Sequence, residues 1–144
     1  MNKNEKFYIK LRTDISDWLQ KNTKIKPIIK EYILIIPDIF YLLLKLVKDK
    51  DVPYSKKIKL FAAITYFISP IDIIPEAFLG PIGYLDDLGL AAFVLNDLIN
   101  SIDPQIIKRN WPGENDILIL IKNILANIDK LIGKGIWQKL KKLF

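Results

Sequence analysis

Five carboxylates stand where hard-cation chemistry could be assembled: Asp72, Glu76, Asp86, Asp87 and, further upstream, Asp38. Asp72 and Glu76 belong to the run Ser69-Pro70-Ile71-Asp72-Ile73-Ile74-Pro75-Glu76, and Asp86-Asp87 open the helical pattern that follows. Two acids on a broken helix and two at the start of the next could converge across one reversal of the chain on Mg, Mn or Ca. A cation held there could activate water to hydrolyse a phosphate ester, with a carboxylate as base. The same residues also have a plain structural role. Ser69 can cap a helix that has Pro70 at its first position and Asp72 at its third, Asp86 and Asp87 sit in a first turn where the helix dipole favours anions, and Asp38 follows Pro37 at a helix start.

Composition narrows the chemistry further. The 144 residues include no cysteine and no histidine, so zinc, haem and iron–sulfur centres are not expected, and neither is a histidine base or a thiolate nucleophile. There is no Walker loop, no paired-glycine dinucleotide turn, no nucleophile-elbow serine and no zincin motif, and no catalytic residue is assigned.

The charges are segregated along the chain. From Leu60 to Ile107 there is no lysine or arginine, yet this stretch holds Asp72, Glu76, Asp86, Asp87, Asp97 and Asp103, while the remaining residues carry all 22 basic side chains. A carboxylate buried without compensation is costly, so each acid in this apolar block needs a hydrogen bond, a cation or a raised pKa. Lys56, Lys57, Lys59 and Arg109 flank the block and are the cations the fold could bring back to it.

Helices must position these groups, since the apolar spacing is helical almost throughout. Phe7, Leu11, Ile15 and Trp18 form one face of an opening helix that stops near Asn22. A second helix follows Thr23 to Ile36, where Pro37 kinks it or starts another carrying Phe40, Leu43, Leu44 and Val47. The turn Asp51-Val52-Pro53 leads into a helix through Leu60, Phe61, Ile64 and Phe67. Three prolines and two glycines then break residues 69–83 into an apolar hairpin, and Tyr84 to Ser101 resumes as a helix that is apolar all round, destined for a bundle centre or for lipid. Asp86 and Asp97 project from it in nearly the same direction, which must be polar or paired. Asp103-Pro104 reads as a cap and first helical residue, Trp111-Pro112-Gly113 as a stop, and Asn115 or Asp116 as the start of a last helix carrying Ile117, Ile121, Ile124, Ile128 and Leu131 to Gly133. The expected fold is all-α: one domain over residues 1–144, a compact bundle of about six helices with the broken hairpin in the middle.

Several of these segments together resemble the YkvA-like domain family (domain of unknown function 1232), a bacterial family also found in an animal endoplasmic-reticulum RING ubiquitin ligase. The residues that carry the resemblance are Pro37-Asp38, the Asp51-Val52-Pro53 turn with Lys56, the run Ser69 to Glu76, and Gly83-Tyr84-Leu85-Asp86-Asp87, a core of roughly residues 35–100. Glu76 stands where that family more often has aspartate, a change that lengthens the side chain and would move any metal it touched. The resemblance implies an all-helical fold and a tie to membranes, and it carries no reaction.

The net charge of +6 suits an anionic partner. The last segment, residues 134–144, is a basic amphipathic tail that could lie in an anionic lipid interface, with Trp137, Leu140 and Phe144 toward the acyl boundary and Lys139, Lys141 and Lys142 on headgroups, or could dock on the bundle. The opening is lysine-rich and amphipathic, without an apolar signal core, so a cytoplasmic site is expected, peripheral on the inner face of the cell membrane. The leading expectation is a small membrane-associated or partner-binding module whose acidic cluster is structural or holds a divalent cation. A metal-dependent hydrolase is the alternative. Nucleic-acid binding ranks third, because the lysines are spread over several helices without a recognition motif. A homo-oligomer is compatible with all three.

Overall fold

One helix organises the packing because its apolar residues occupy most of its circumference: Ile33, Ile36, Ile39, Phe40, Leu42, Leu43 and Leu46 are all buried on a single 22-residue element. The computed structural model describes residues 3–24, 27–68 and 85–127, except for the side chains of Ile29, Leu85, Asp86 and Asp87. Within these residues the chain is all-α, with helices α1 (Lys3–Lys21), α2 (Pro27–Lys48), α3 (Tyr54–Ile68), α4 (Leu85–Ile99), α5 (Pro104–Asn110) and α6 (Ile117–Ala126), and it has no strand. The expected hairpin at 69–83 and the tail at 134–144 lie outside the described residues.

Helix α2 packs against α1, α3, α4 and α5, and α4 packs in turn against α3 and α6. Leu11 and Ile15 bury the inner face of α1, as their spacing requires. Phe40 of α2 ties the first three helices together, meeting Phe7 edge-on at 5.0 Å and Phe67 edge-on at 5.4 Å between ring centroids. The all-round apolar helix α4 sits at the centre: Leu88, Leu90, Ala91, Ala92, Val94, Leu95 and Leu98 are all buried. No helix of the described residues is long and apolar enough to cross a membrane.

The helix ends follow local chemistry. Asp103 caps α5 by accepting from the Gln105 N–H at 3.0 Å, with Pro104 at the first helical position. Asp116 caps α6 through the N–H groups of Leu118 and Ile119. Between them the Trp111 ring folds over Gly113, where a Cβ would lie 2.5 Å from the ring, and its indole N–H donates to the Asn115 carbonyl at 2.9 Å. Only glycine fits beneath the ring without displacing it.

Of the two readings of Pro37, the one that starts a new helix is overturned, since α2 runs through the proline as a single helix; nine fully or largely buried neighbours on the same helix hold the backbone in place where propensity alone would break it. Helix α6 ends at Ala126 with Asn127 as its cap, and the rest of the expected stretch to Gly133 lies outside the described residues. The Asn127 side chain donates to the Asn123 carbonyl (2.8 Å) and to the Tyr32 hydroxyl (3.2 Å), a local side-chain bond that competes with the next helical turn.

Candidate functional site

The acid block is answered by lysines from outside it. Asp97, on α4, accepts from Lys56 Nζ at 3.3 Å and lies 3.6 Å from Lys59 Nζ, both of α3. At Asp97 the direction expected to be polar or paired is therefore paired, by two of the flanking cations. Asp103 faces water as the cap of α5. Asp86 and Asp87 lie in the first turn of α4, as their position after Tyr84 implies, but their side chains are outside the description. Asp72, Glu76 and the tail residues Trp137, Lys139, Leu140, Lys141, Lys142 and Phe144 also lie outside the described residues. Among the described residues no group of three or more acids could hold a metal.

Asp38 is described, and its setting is not that of a helix start. Because α2 passes through Pro37, Asp38 sits in mid-helix, half-buried, beyond the reach of the N-terminal dipole. Burial raises its carboxyl pKa above the usual range, and the guanidinium of Arg12 across on α1 offsets this in part. It makes no hydrogen bond or ion pair with any described residue.

The best-satisfied carboxylate is Asp49, in the turn after α2. Arg109 of α5 grips it with Nε at 3.2 Å and Nη2 at 2.8 Å, and the same Nη2 reaches Asp51 at 2.7 Å. Asn110 Nδ2 donates to Asp49 at 2.8 Å and the Asp51 N–H at 2.9 Å. These donors hold the Asp49 carboxyl far below its ordinary pKa, Arg109 first, then Asn110, then the Asp51 backbone. The arrangement fixes α5 to the α2–α3 turn. Sequence reasoning named Arg109 as an available cation without naming Asp49; the signal present was that only two of the 22 basic residues are arginines, Arg12 and Arg109. Arginine is the side chain suited to forked carboxylate binding.

A second feature absent from the sequence reading is the outer face of α3. Leu60, Ala63, Ile64 and Phe67 turn inward and are buried, while Tyr54, Ile58 and Phe61, on the opposite face, are 80%, 58% and 59% exposed. With Val47 and Lys57 they line a mostly apolar recess of about 300 Å³. Lys56, Lys57 and Lys59 stand in the first half of this helix with no acid in its first turn, an unfavourable placement for cations beside a helix N-terminus. Asp97 compensates Lys56 and Lys59; Lys57 has no ion pair among the described residues. The exposed Lys48 is the last residue of α2, and the exposed Lys50 stands in the turn that leads to Tyr54. The visible signal was the spacing Tyr54, Ile58, Phe61, a second apolar stripe on a helix that already had one.

The model of the family described as "Protein of unknown function (DUF1232)" matches residues 56–93, inside the stretch of 35–100 that carried the resemblance. An "Uncharacterized protein ORF9" of Methanothermobacter thermautotrophicus is 30% identical over 109 residues, which cover 76% of this chain and 71% of that protein. No solved structure matches.

Proposed function

Because the chain belongs to the DUF1232 family of proteins of unknown function, which brings no reaction with it, we propose from its own surface that it is a peripheral module that docks on anionic lipid through the outer face of α3. One observation carries this reading: Tyr54, Ile58 and Phe61 form a solvent-facing apolar stripe on a helix whose opposite face is already buried in the bundle. Large apolar side chains exposed together on one face are the usual mark of an interaction site.

Charge complementarity selects the partner. Lys57 lines the same recess, the exposed Lys48 follows the lining residue Val47 at the end of α2, and the exposed Lys50 stands in the turn that leads to Tyr54. Aromatic and aliphatic groups at the acyl boundary with lysines at headgroup level are the arrangement of an interfacial helix, and each lysine near an anionic surface contributes about 1 kcal/mol. The net charge of +6 adds long-range attraction to the same surface.

Flotation with vesicles of phosphatidylglycerol in phosphatidylcholine tests this. Ile58→Ser with Phe61→Ser is expected to reduce the lipid-bound fraction by about tenfold or more, because most of the apolar area that would enter the interface is removed. Lys57→Gln is expected to weaken binding less and to flatten its salt dependence. If the serine double variant floats like the parent, the reading is wrong. A change in oligomeric mass with no change in flotation would also overturn it, by making the stripe a contact between copies.

A further inference from the structure

We propose that the groove between α1 and α2 binds a small molecule that carries both an ammonium and a phosphate, the ammonium against Asp38 and the phosphate against Arg12. The inference is independent of the α3 face. It begins with a cavity of about 410 Å³, bounded by one wall of Ile15, Leu19 and Leu34 and by the neutral polar side chains Ser16 and Gln20. That volume lies in the range of small-ligand sites.

Three charged groups line this cavity, and none has a charged partner within ion-pairing distance among the described residues. Asp38 is half-buried and has no hydrogen bond among the described residues, so part of its desolvation is already incurred and a donor from a ligand would meet a carboxylate on which, among those residues, the Arg12 charge acts from a distance. Lys30 on α2 is exposed at the rim. Arg12 is held in place, since Nη1 donates to the Tyr8 hydroxyl at 2.8 Å and the guanidinium lies 5.7 Å from the centre of that ring. Its remaining N–H groups stay available, in the planar fork suited to a phosphate. Pro37 lines the same cavity and has no N–H, so the Ile33 carbonyl loses its usual helical donor one turn away.

The signs decide the ligand class. A simple anion would meet Asp38, and a simple cation would meet Arg12, which lies near enough to act on the Asp38 charge, whereas one molecule bearing both charges answers both. This chemistry occurs in free amino-alcohol phosphates and in the headgroup of phosphatidylethanolamine.

Calorimetric titration of the full chain with O-phosphoethanolamine, and separately with ethanolamine and inorganic phosphate, provides the test. Phosphoethanolamine should bind at least about tenfold more tightly than either fragment, with Asp38→Asn and Arg12→Gln each reducing that affinity about tenfold or more. Melting curves on the same samples show that each variant is folded. A parallel arm compares sedimentation with phosphatidylcholine vesicles containing or lacking phosphatidylethanolamine. Asp38-dependent binding of the soluble compound alone points to a free metabolite, and Asp38-dependent retention on phosphatidylethanolamine points to a lipid headgroup; both support the proposal. Phosphoethanolamine binding no better than phosphate, with no Asp38-dependent vesicle retention, would overturn it, as would folded variants that match the parent in both arms.

Discussion

Helix α2 offers two carboxylates to the surface within eleven residues of chain, and the protein treats them in opposite ways. Asp49, just past its C-terminal end, is almost enclosed, with a side chain 9% exposed and donors from Arg109, Asn110 and the backbone of Asp51. Asp38, in mid-helix, is half-buried and has no hydrogen-bonding partner among the described residues. The contrast teaches that enclosure alone does not set a carboxylate's state. Fixed donors stabilise the ionised form at Asp49, whereas burial without them disfavours it at Asp38. A satisfied acid is a structural joint; an unsatisfied one remains available for a ligand.

Breaking the joint gives the largest expected effect. Asp49→Ala removes the acceptor shared by Arg109 and Asn110 and should lower stability by about 1–3 kcal/mol, read as a shift of the urea midpoint at unchanged slope. Its pKa is depressed in the fold, so the stability it contributes is present above the ordinary carboxylate pKa and is lost as pH falls through the lower folded value. The parent should therefore lose stability on acidification more steeply than Asp49→Ala. Equal pH slopes for the two proteins would remove the distinction drawn between the joint and the groove.

Asp97 provides an intermediate case, a carboxylate 38% exposed and bonded, among the described residues, by lysines alone. Asp97→Asn should cost about 0.2–1 kcal/mol, with the difference from the parent shrinking as salt screens the pair. A loss as large as that at Asp49 would mean that Lys56 and Lys59 hold α3 and α4 together more firmly than their exposure suggests.

The smallest change is expected at Asp38 and has the opposite sign. Asp38→Asn should leave stability unchanged or raise it by up to about 0.5 kcal/mol near neutral pH. Because the folded pKa is raised, the parent gains relative stability as pH falls through that value toward the ordinary one, and the advantage of the variant should disappear in acid. A destabilised variant at pH 7 would show that Asp38 has a structural partner after all.

Much of the helical framework was legible along the chain because it depends on neighbours. Leu11 and Ile15 face inward at the spacing that announces them, Asp103 and Asp116 cap the helices they precede, and Pro53 lies immediately before α3. Pro37 and Asn127 were not legible in the same way. Proline breaks an isolated helix but is tolerated where surrounding packing outweighs one lost hydrogen bond, and Asn127 ends α6 with the help of a Tyr32 hydroxyl 95 residues away. The charge segregation also had a different meaning in space. Asp97 lies in a block without basic residues, yet α3 brings two lysines to it.

The amino-acid sequence by itself determined the family, the all-helical class, the caps and which apolar stripes exist, and it excluded thiolate and imidazole chemistry by containing neither residue. Only the tertiary structure decided which of the two stripes on α3 is covered, which acids acquire cations, and that Arg109 meets Asp49 while Arg12 borders a groove with Asp38. The division has a physical cause. Periodicity and capping act over a few residues and can be read locally, whereas burial and charge compensation depend on separations in space that helix packing sets between distant residues, 41 positions apart for Lys56 and Asp97 and 95 for Tyr32 and Asn127.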